Sequence, residues 1–464
     1  MVAAAGSIFS PEGPVSKTTD VRLREVSSES ERFAYRTPMK FGGRVVTDVV
    51  LLHVRAEVET GDGRRGTGFG SMPMGNAWAW PSRQVPGDAT LATMIQLGER
   101  VARDAREYRG SGHPLEISQD LATTYQGAAD EITSAAGLLE SMPRLAQLVA
   151  ASPTEAALYD AYGKALGENS YNLLSAEFVG RDLSAYLTGE FAGEYLDRYT
   201  LRKPKASMPL YHLVGALDPL SDADLDQRIG DGLPETLPEW IQADGLTHLK
   251  IKLNGDDLGW DVNRVVSIER VAAEAQRRRG CTSWCYSADF NERCANVDYV
   301  LDFLAQIEQR SPDALRRLQY IEQPTHRDLR ANPENRMHRA AKIKPVVIDE
   351  SLLDFESLLL SRELGYSGVA LKACKGHSEA LLMGAAAQKY GMFLCVQDLT
   401  CPGASFLHSA SLAARIPTVA AIEGNARQYC PAANRGWSER FPSMFQIGDG
   451  TLGTAVLDGP GLGF

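Results

Sequence analysis

From about Met208 the chain alternates short apolar runs with amphipathic segments of helical period, and this alternation restricts the fold more than any other feature. THLKIKL precedes RVVSIERVAAEAQRR, SWCYSADF precedes VDYVLDFLAQIEQ, GVALKA precedes SEALLMGAAAQKYG, and MFLCVQD precedes SFLHSASLAARI; LQYIEQP, PVVIDES and VAAIEGN add further strands. A helix between two strands carries the chain back to the starting edge, so the strands run parallel. Eight such units need roughly 220 residues. About that many are present, and the spacing predicts a (β/α)8-type barrel over residues 207–430. An open doubly wound sheet competes, but no GxGxxG or GxxxxGK[ST] turn supports a nucleotide-binding version of it.

Upstream, residues 21–206 read as a separate α+β unit. The run VTDVVLLHVRAEVETGDGRRGTGFG gives a hairpin that turns at Gly61-Asp62-Gly63. ATMIQLGERVARDA, SAAGLLESMPRLAQLVA and SPTEAALYDAYGKALG then show apolar residues at i, i+3 and i+4, with Ser152 or Thr154 as a cap and Gly167 as a stop for the last helix. Residues 1–20 read as a flexible arm, and residues 431–464 as a C-terminal segment packing back on the first unit.

Polar residues close almost every barrel strand: Lys250 and Lys252, then Asp289, Glu322, Asp349, Lys372, Asp398 and Glu423. Counted from Lys252 the gaps are 37, 33, 27, 23, 26 and 25 residues, each about one βα unit. In a barrel this gathers them at the C-terminal mouth, where the active sites of the fold lie. Asp289, Glu322 and Asp349 would repel one another there unless a cation intervened, and all-oxygen ligation suits Mg²⁺ or Mn²⁺ better than zinc. Lys250 and Lys252 are two apart on one strand and face the same side, where each should depress the other's pKa. Lys372 stands across the barrel. A base on each face of a bound molecule suits taking a proton from one side and returning it on the other.

The pieces Lys250-Ile-Lys252, Asp289-Phe-Asn291, Ile321-Glu322-Gln323-Pro324, Ile348-Asp349-Glu350-Ser351 and Leu371-Lys372 together resemble the enolase superfamily, in the muconate lactonizing enzyme-like subgroup of the mandelate racemase/muconate lactonizing enzyme family. The resemblance spans about residues 40–430 and makes the first unit a capping domain. A further likeness is the lack of a His beside the Pro in VQDLTCPGASFLH, where the mandelate racemase subgroup carries one. What the resemblance implies is a shared half-reaction: one Mg²⁺ on Asp289, Glu322 and Asp349, with Asn291 and Glu350 in support, binds a substrate carboxylate. Lys252 and Lys372 are then the acid/base pair, and Lys250 helps the metal stabilise an enediolate. Glu423 and Asp398 are candidate substrate contacts, as are Trp78 and Trp80 from the cap segment 70–80.

The implied outcome is racemisation or epimerisation. A sugar-acid dehydratase or a cycloisomerase would use the same enediolate, and a barrel that only binds ligand is the reading from another class. Three departures bear on the product: Glu423-Gly424-Asn425 replaces the Asp-x-Asp of dipeptide epimerases, Gly376-His377 replaces a Gly-Gly pair, and residues 180–206 look like an insertion. His326, Gln397, Lys375 and His408 read as loop, ambiguous or packed residues.

With 48 basic against 59 acidic residues the net charge is −11, which argues against nucleic acid or an anionic membrane as partner. No apolar run reaches 18 residues and the N-terminus has no signal-peptide pattern, so a cytoplasmic enzyme is expected. Family habit implies a homo-oligomer. The seven cysteines lack paired CxxC spacing and read as reduced thiols.

Overall fold

The computed structural model describes residues 17–41 and 44–464, so most of the expected N-terminal arm lies outside the described residues. Strands β1 (Val21–Phe41), β2 (Arg44–Thr60) and β3 (Arg65–Pro73) form an antiparallel sheet in that order. The turn between β2 and β3 falls at Gly61–Gly63, with Gly63 at φ 87°. Strand β1 was not anticipated, because VRLREVSSESERFAYRTPMKF has too few apolar residues to alternate clearly. Its pairing with β2, from Val21↔Thr60 to Phe41↔Arg44, makes it a strand nonetheless.

Two expectations for the helices of this unit need correction. The helix Tyr125–Ala135 stops and the chain turns before Pro143, so no helix spans SAAGLLESMPRLAQLVA. A single helix, Arg144–Leu166, then runs straight through Pro153 to Gly167, whose φ of 70° ends it. Ser152 is therefore internal and caps nothing; its hydroxyl donates to the Val149 carbonyl at 2.8 Å. Tertiary packing overrides the local signal, since nearly every face of this helix is buried. Sheet and helix touch backbone to backbone: a Cβ on Gly68 would lie 2.1 Å from the Ala157 carbonyl oxygen.

The second unit is a closed barrel of eight parallel strands. These are β4 (Met208–Val214), β5 (His248–Lys252), β6 (Cys285–Asp289), β7 (Leu318–Glu322), β8 (Val346–Ile348), β9 (Gly368–Leu371), β10 (Phe393–Val396) and β11 (Val419–Glu423). Pairing of β11 with β4 closes the circle, which excludes the open sheet. Between β7 and β8 the connecting helix shrinks to His338–Ala341. Tyr211, Tyr320, Val347, Ala370, Cys395 and Ala421 fill the interior, so the barrel is a packed core with its polar residues at one end.

Beyond the barrel, β12 (Thr451–Leu452) pairs antiparallel with β4. The Leu462 amide donates to Asp160 of the helix Arg144–Leu166, at 3.0 Å. The last residues thus touch both units. Residues 180–206 hold short turns of 3₁₀-helix, Leu183–Ala185, Gly189–Phe191 and Leu196–Tyr199, the last two packed together through the rings of Phe191 and Tyr199. All seven cysteines are free. Among the described residues no helix is long and apolar enough to cross a membrane.

Candidate active site

Strand register brings the polar ends together at the mouth. Lys252 is level with Asp289, and Asp289 with Glu322, across β5, β6 and β7. Lys250 and Lys252 share the inner face of β5, as their spacing requires. The Lys250 ammonium reaches Glu322 at 2.9 Å, Glu423 at 3.0 Å and Asp289 at 3.2 Å. Lys252 donates to Asp289 and, at 3.1 Å, to Asn291. Asn291 adopts φ 44° and Gln323 φ 29°, strained backbone directly beyond the ends of β6 and β7.

Across the mouth, Lys372 follows β9 and lies 3.2 Å from Asp349 and 3.0 Å from the Asp398 carbonyl, to which it donates. One further lysine joins it. Lys375 read as a packed or solvated position, yet its ammonium is buried against Asp349 at 3.1 Å and donates to the Leu352 carbonyl at 3.2 Å. Its spacing of three from Lys372, in a tight turn, was the only signal in the sequence. Gln323 steadies the same segment: its side-chain oxygen accepts from the Asp349 amide at 3.0 Å, and its nitrogen donates to Ser351 at 2.8 Å.

Every one of these groups is buried, and carboxyls outnumber ammoniums. Asp289, Glu322, Asp349, Glu350, Asp398 and Glu423 make six; Lys250, Lys252, Lys372 and Lys375 make four. The imbalance shows in the titration behaviour. Burial, with Asp349 beside it, pushes the Glu350 carboxyl up to about 7. Burial and then Glu423 push Asp398 up to about 7 as well. Burial and the Asp289 charge also hold Glu322 well above the carboxylate range. Asp289 and Asp349 go the other way: burial opposes their charge, but the lysines beside them prevail.

Mutual depression of the two β5 lysines, expected from their spacing, is not what the surroundings give Lys250. Burial lowers its pKa, but the carboxylates of Glu322, Glu423 and Asp289 outweigh burial and raise it. Lys372 is raised in the same way, burial being outweighed by Asp349. Each of the three central carboxylates therefore rests on a lysine. Among the described residues, no three acidic, His or Cys side chains are grouped to enclose a metal ion as they stand.

Above these groups lies a cavity roofed by the cap. The segment after β3 contributes Met74, Asn76 and Trp78, and the β1–β2 hairpin adds Tyr35, Met39 and Val50. The Trp78 indole lies with its centroid 4.6 Å from the Lys372 ammonium and donates to Glu350 at 2.9 Å. Arg327, paired with Glu292, donates to the Trp78 carbonyl at 3.0 Å and fastens the segment to the barrel loops. Trp80, expected at the mouth, is not there. It is fully buried in the cap core and donates to Glu140 at 2.9 Å, because the short helix Asn76–Ala79 turns the two indoles apart. His326 is exposed and accepts from its own loop at 3.1 Å. His408 is buried between Ser71 and Phe464, outside the cavity. Gln397, left ambiguous by the sequence, donates to Glu322 from below.

A parallel barrel whose strand ends gather lysines and carboxylates beneath an α+β cap has the architecture of enolase-type barrels. The family model described as enolase C-terminal domain-like matches residues 233–464, half of the chain. The chain belongs to the enolase superfamily, within the mandelate racemase/muconate lactonizing enzyme family, and membership makes it an enzyme. Several solved structures share the whole fold at low identity. Muconate lactonizing enzyme from Pseudomonas fluorescens, complexed with muconolactone, is 17% identical with a TM-score of 0.57, over 95% of this chain and 96% of that one. The L-Ala-D/L-Glu epimerase from Bacillus subtilis is 17% identical with a TM-score of 0.60, over 95% and 98%. A racemase from Streptomyces coelicolor with bound magnesium is 16% identical with a TM-score of 0.55, over 95% and 96%. No curated protein is a detectable sequence relative of the chain.

Proposed function

We propose that the enzyme removes the proton α to a substrate carboxylate and returns a proton to either face of the same carbon, a racemisation or epimerisation served by Lys252 and Lys372. The observation that carries this reading is the placement of the two lysines. They come from β5 and from the end of β9, four strands apart in a barrel of eight, and both line one cavity. A proton taken on one side can thus be replaced from the other. Lys250, held by three carboxylates, is positioned to stabilise negative charge and not to act as base. Elimination would begin with the same proton transfer and then need an acid for the leaving group, whereas cycloisomerisation would reach the same enediolate by ring closure and then need an acid for the α-carbon.

Asp289, Glu322 and Asp349 would hold Mg²⁺, with Asn291 and Glu350 supporting them. Two observations fit a divalent cation: the buried site has two more carboxyls than ammoniums, and Glu350 Oε2 is buried without a partner. The donors are all oxygen, the preference of Mg²⁺ and Mn²⁺. Bound there, the metal would neutralise charge developing on the substrate carboxylate as the α-proton leaves. Structures of fold relatives carry magnesium. Glu423 and Asp398, at the ends of β11 and β10, face the cavity as candidate substrate contacts. The test is α-proton exchange in D₂O, followed by NMR over a set of chiral carboxylic acids with Mg²⁺ present. Exchange should vanish on chelation and return with Mg²⁺; exchange that survives a chelator overturns the reading.

The two cap tryptophans should separate in the same assay. Trp78→Phe keeps a ring near Lys372 but removes the hydrogen bond to Glu350, so kcat should fall about tenfold with the fold intact. Trp80→Phe removes the bond to Glu140 and leaves a small gap in the cap core. It should cost about 1–3 kcal/mol of stability in urea unfolding and leave kcat/KM unchanged.

A further inference from the structure

Cations and apolar groups divide the cavity into two ends. Among the described lining residues the cations are Lys250, Lys252 and Lys372, all on the barrel floor. Facing them from the cap are Tyr35, Met39, Val49, Val50 and Met74, and Leu213 of β4 adds an apolar side chain beside Lys250. Met39, Leu213 and Tyr429 form one small apolar cluster against which Tyr35 packs, so Tyr35 and Met39 of β1 are seated on the barrel strand β4. Asp48 is the one charged residue on the cap side of the lining, and it is held by Arg32 at 2.8 Å. Asn76, the polar neighbour, is already committed: its amide donates to the Gly87 carbonyl at 2.8 Å and to Thr90 at 2.9 Å.

We infer that the substrate is a monocarboxylate whose remaining body is uncharged and apolar, lodged under the β1–β2 hairpin against Met39, Val50 and Leu213. This rests on the proposed function for the position of the carboxylate at the floor, and adds what lies at the other end. A second carboxylate there would meet no cation in the lining, and the nearby Arg32 is already paired with Asp48. A chain of hydroxyls would lose more water than it regains, since beside the Tyr35 phenol the roof offers mostly methyl and methylene groups. The hydroxyl-rich acids that a sugar-acid dehydratase would take therefore fit poorly. So do linear dicarboxylates.

Three six-carbon acids separate these classes with chain length fixed: hexanoate, adipate and gluconate, each titrated calorimetrically into the Mg²⁺-loaded enzyme. Hexanoate should bind at least about tenfold tighter than either of the others. Met39→Arg sets a cation in the roof and should reverse the order of hexanoate and adipate, while Met39→Leu should preserve it. If circular dichroism shows Met39→Arg unfolded, Val46→Arg at the half-buried rim of the same cavity carries the test. Equal affinities for hexanoate and adipate, no hexanoate binding, or an order unmoved by the folded arginine variant overturns the inference. Repeating the hexanoate titration after chelation tests the metal separately. Binding that keeps its preference for hexanoate without Mg²⁺ counts against the proposed metal site and leaves the apolar roof standing.

Discussion

Lys372→Ala should abolish interconversion of enantiomers, by at least about 10³-fold in kcat, and still wash deuterium into one of them. General acid–base catalysis by one positioned group contributes about 10²–10⁴-fold, and among the described lining residues the missing group is the lysine that serves its face. With Lys372 gone, Lys252 can still take the α-proton of the enantiomer that presents it toward β5, and can return a deuteron to the same side. That enantiomer exchanges without inverting. Lys252→Ala should show the mirror pattern. The neighbouring contacts argue that the site survives either change. Asp349 keeps Lys375 at 3.1 Å when Lys372 is lost, and Asp289 keeps Lys250 at 3.2 Å when Lys252 is lost, so neither carboxylate is left buried and alone. An elimination would behave differently, because only one lysine would then support α-exchange. NMR of each enantiomer with each variant in D₂O decides the matter. Should both variants exchange the same enantiomer, the two lysines do not serve opposite faces.

The barrel was legible because its signals are local and repeated. Each strand is short, apolar and buried on both faces, and each polar residue at its end recurs at the interval of one βα unit. Register then does the rest: Asp289 and Glu322 must be level once β6 and β7 pair in parallel. What the sequence hid depends on contacts made far along the chain. Strand β1 is polar on its own and becomes a strand only beside β2. Pro153 reads as a break, yet the helix containing it is fixed by burial against β3 through Gly66, Gly68 and Gly70. The two tryptophans, two residues apart in a mixed segment, were indistinguishable until the short helix at Asn76–Ala79 directed one to Glu350 and the other to Glu140. Lys375 was missed for a related reason. A lysine in a turn is ordinarily solvated, and the Asp349 carboxylate with the carbonyls of Asp349 and Leu352 makes a buried site for this one.

Glu322→Ala should lose at least about 100-fold in Mg²⁺ affinity, beyond the 10–100-fold that losing an outer partner of a ligand typically costs. The expectation follows from how the carboxylates sit. Glu322 lies between the neighbours Asp289 and Asp349, on the middle strand of the three, and faces Lys250 on one oxygen and Gln397 on the other. Its removal takes away one of three oxygen donors and one of the negative charges that a divalent cation would balance. Lys250 stays paired with Glu423 and Asp289, so the variant should fold, and any lost affinity reports on the metal and not on a collapsed mouth. Thermal unfolding offers an independent readout. A ligand at 100 times its Kd stabilises the native state by about 2.7 kcal/mol, so Mg²⁺ at that concentration should raise the Tm of the wild type and leave Glu322→Ala almost unmoved. Asp289→Ala should behave alike. Asp398→Asn, a change in the loop after β10 and outside the three carboxylates, should keep its Mg²⁺-dependent rise in Tm even if catalysis falls. Calorimetry that finds undiminished Mg²⁺ affinity in both Asp289→Ala and Glu322→Ala would move the metal elsewhere. The excess of buried carboxyls over ammoniums would then need protons, held on Glu350 and Asp398, to balance it.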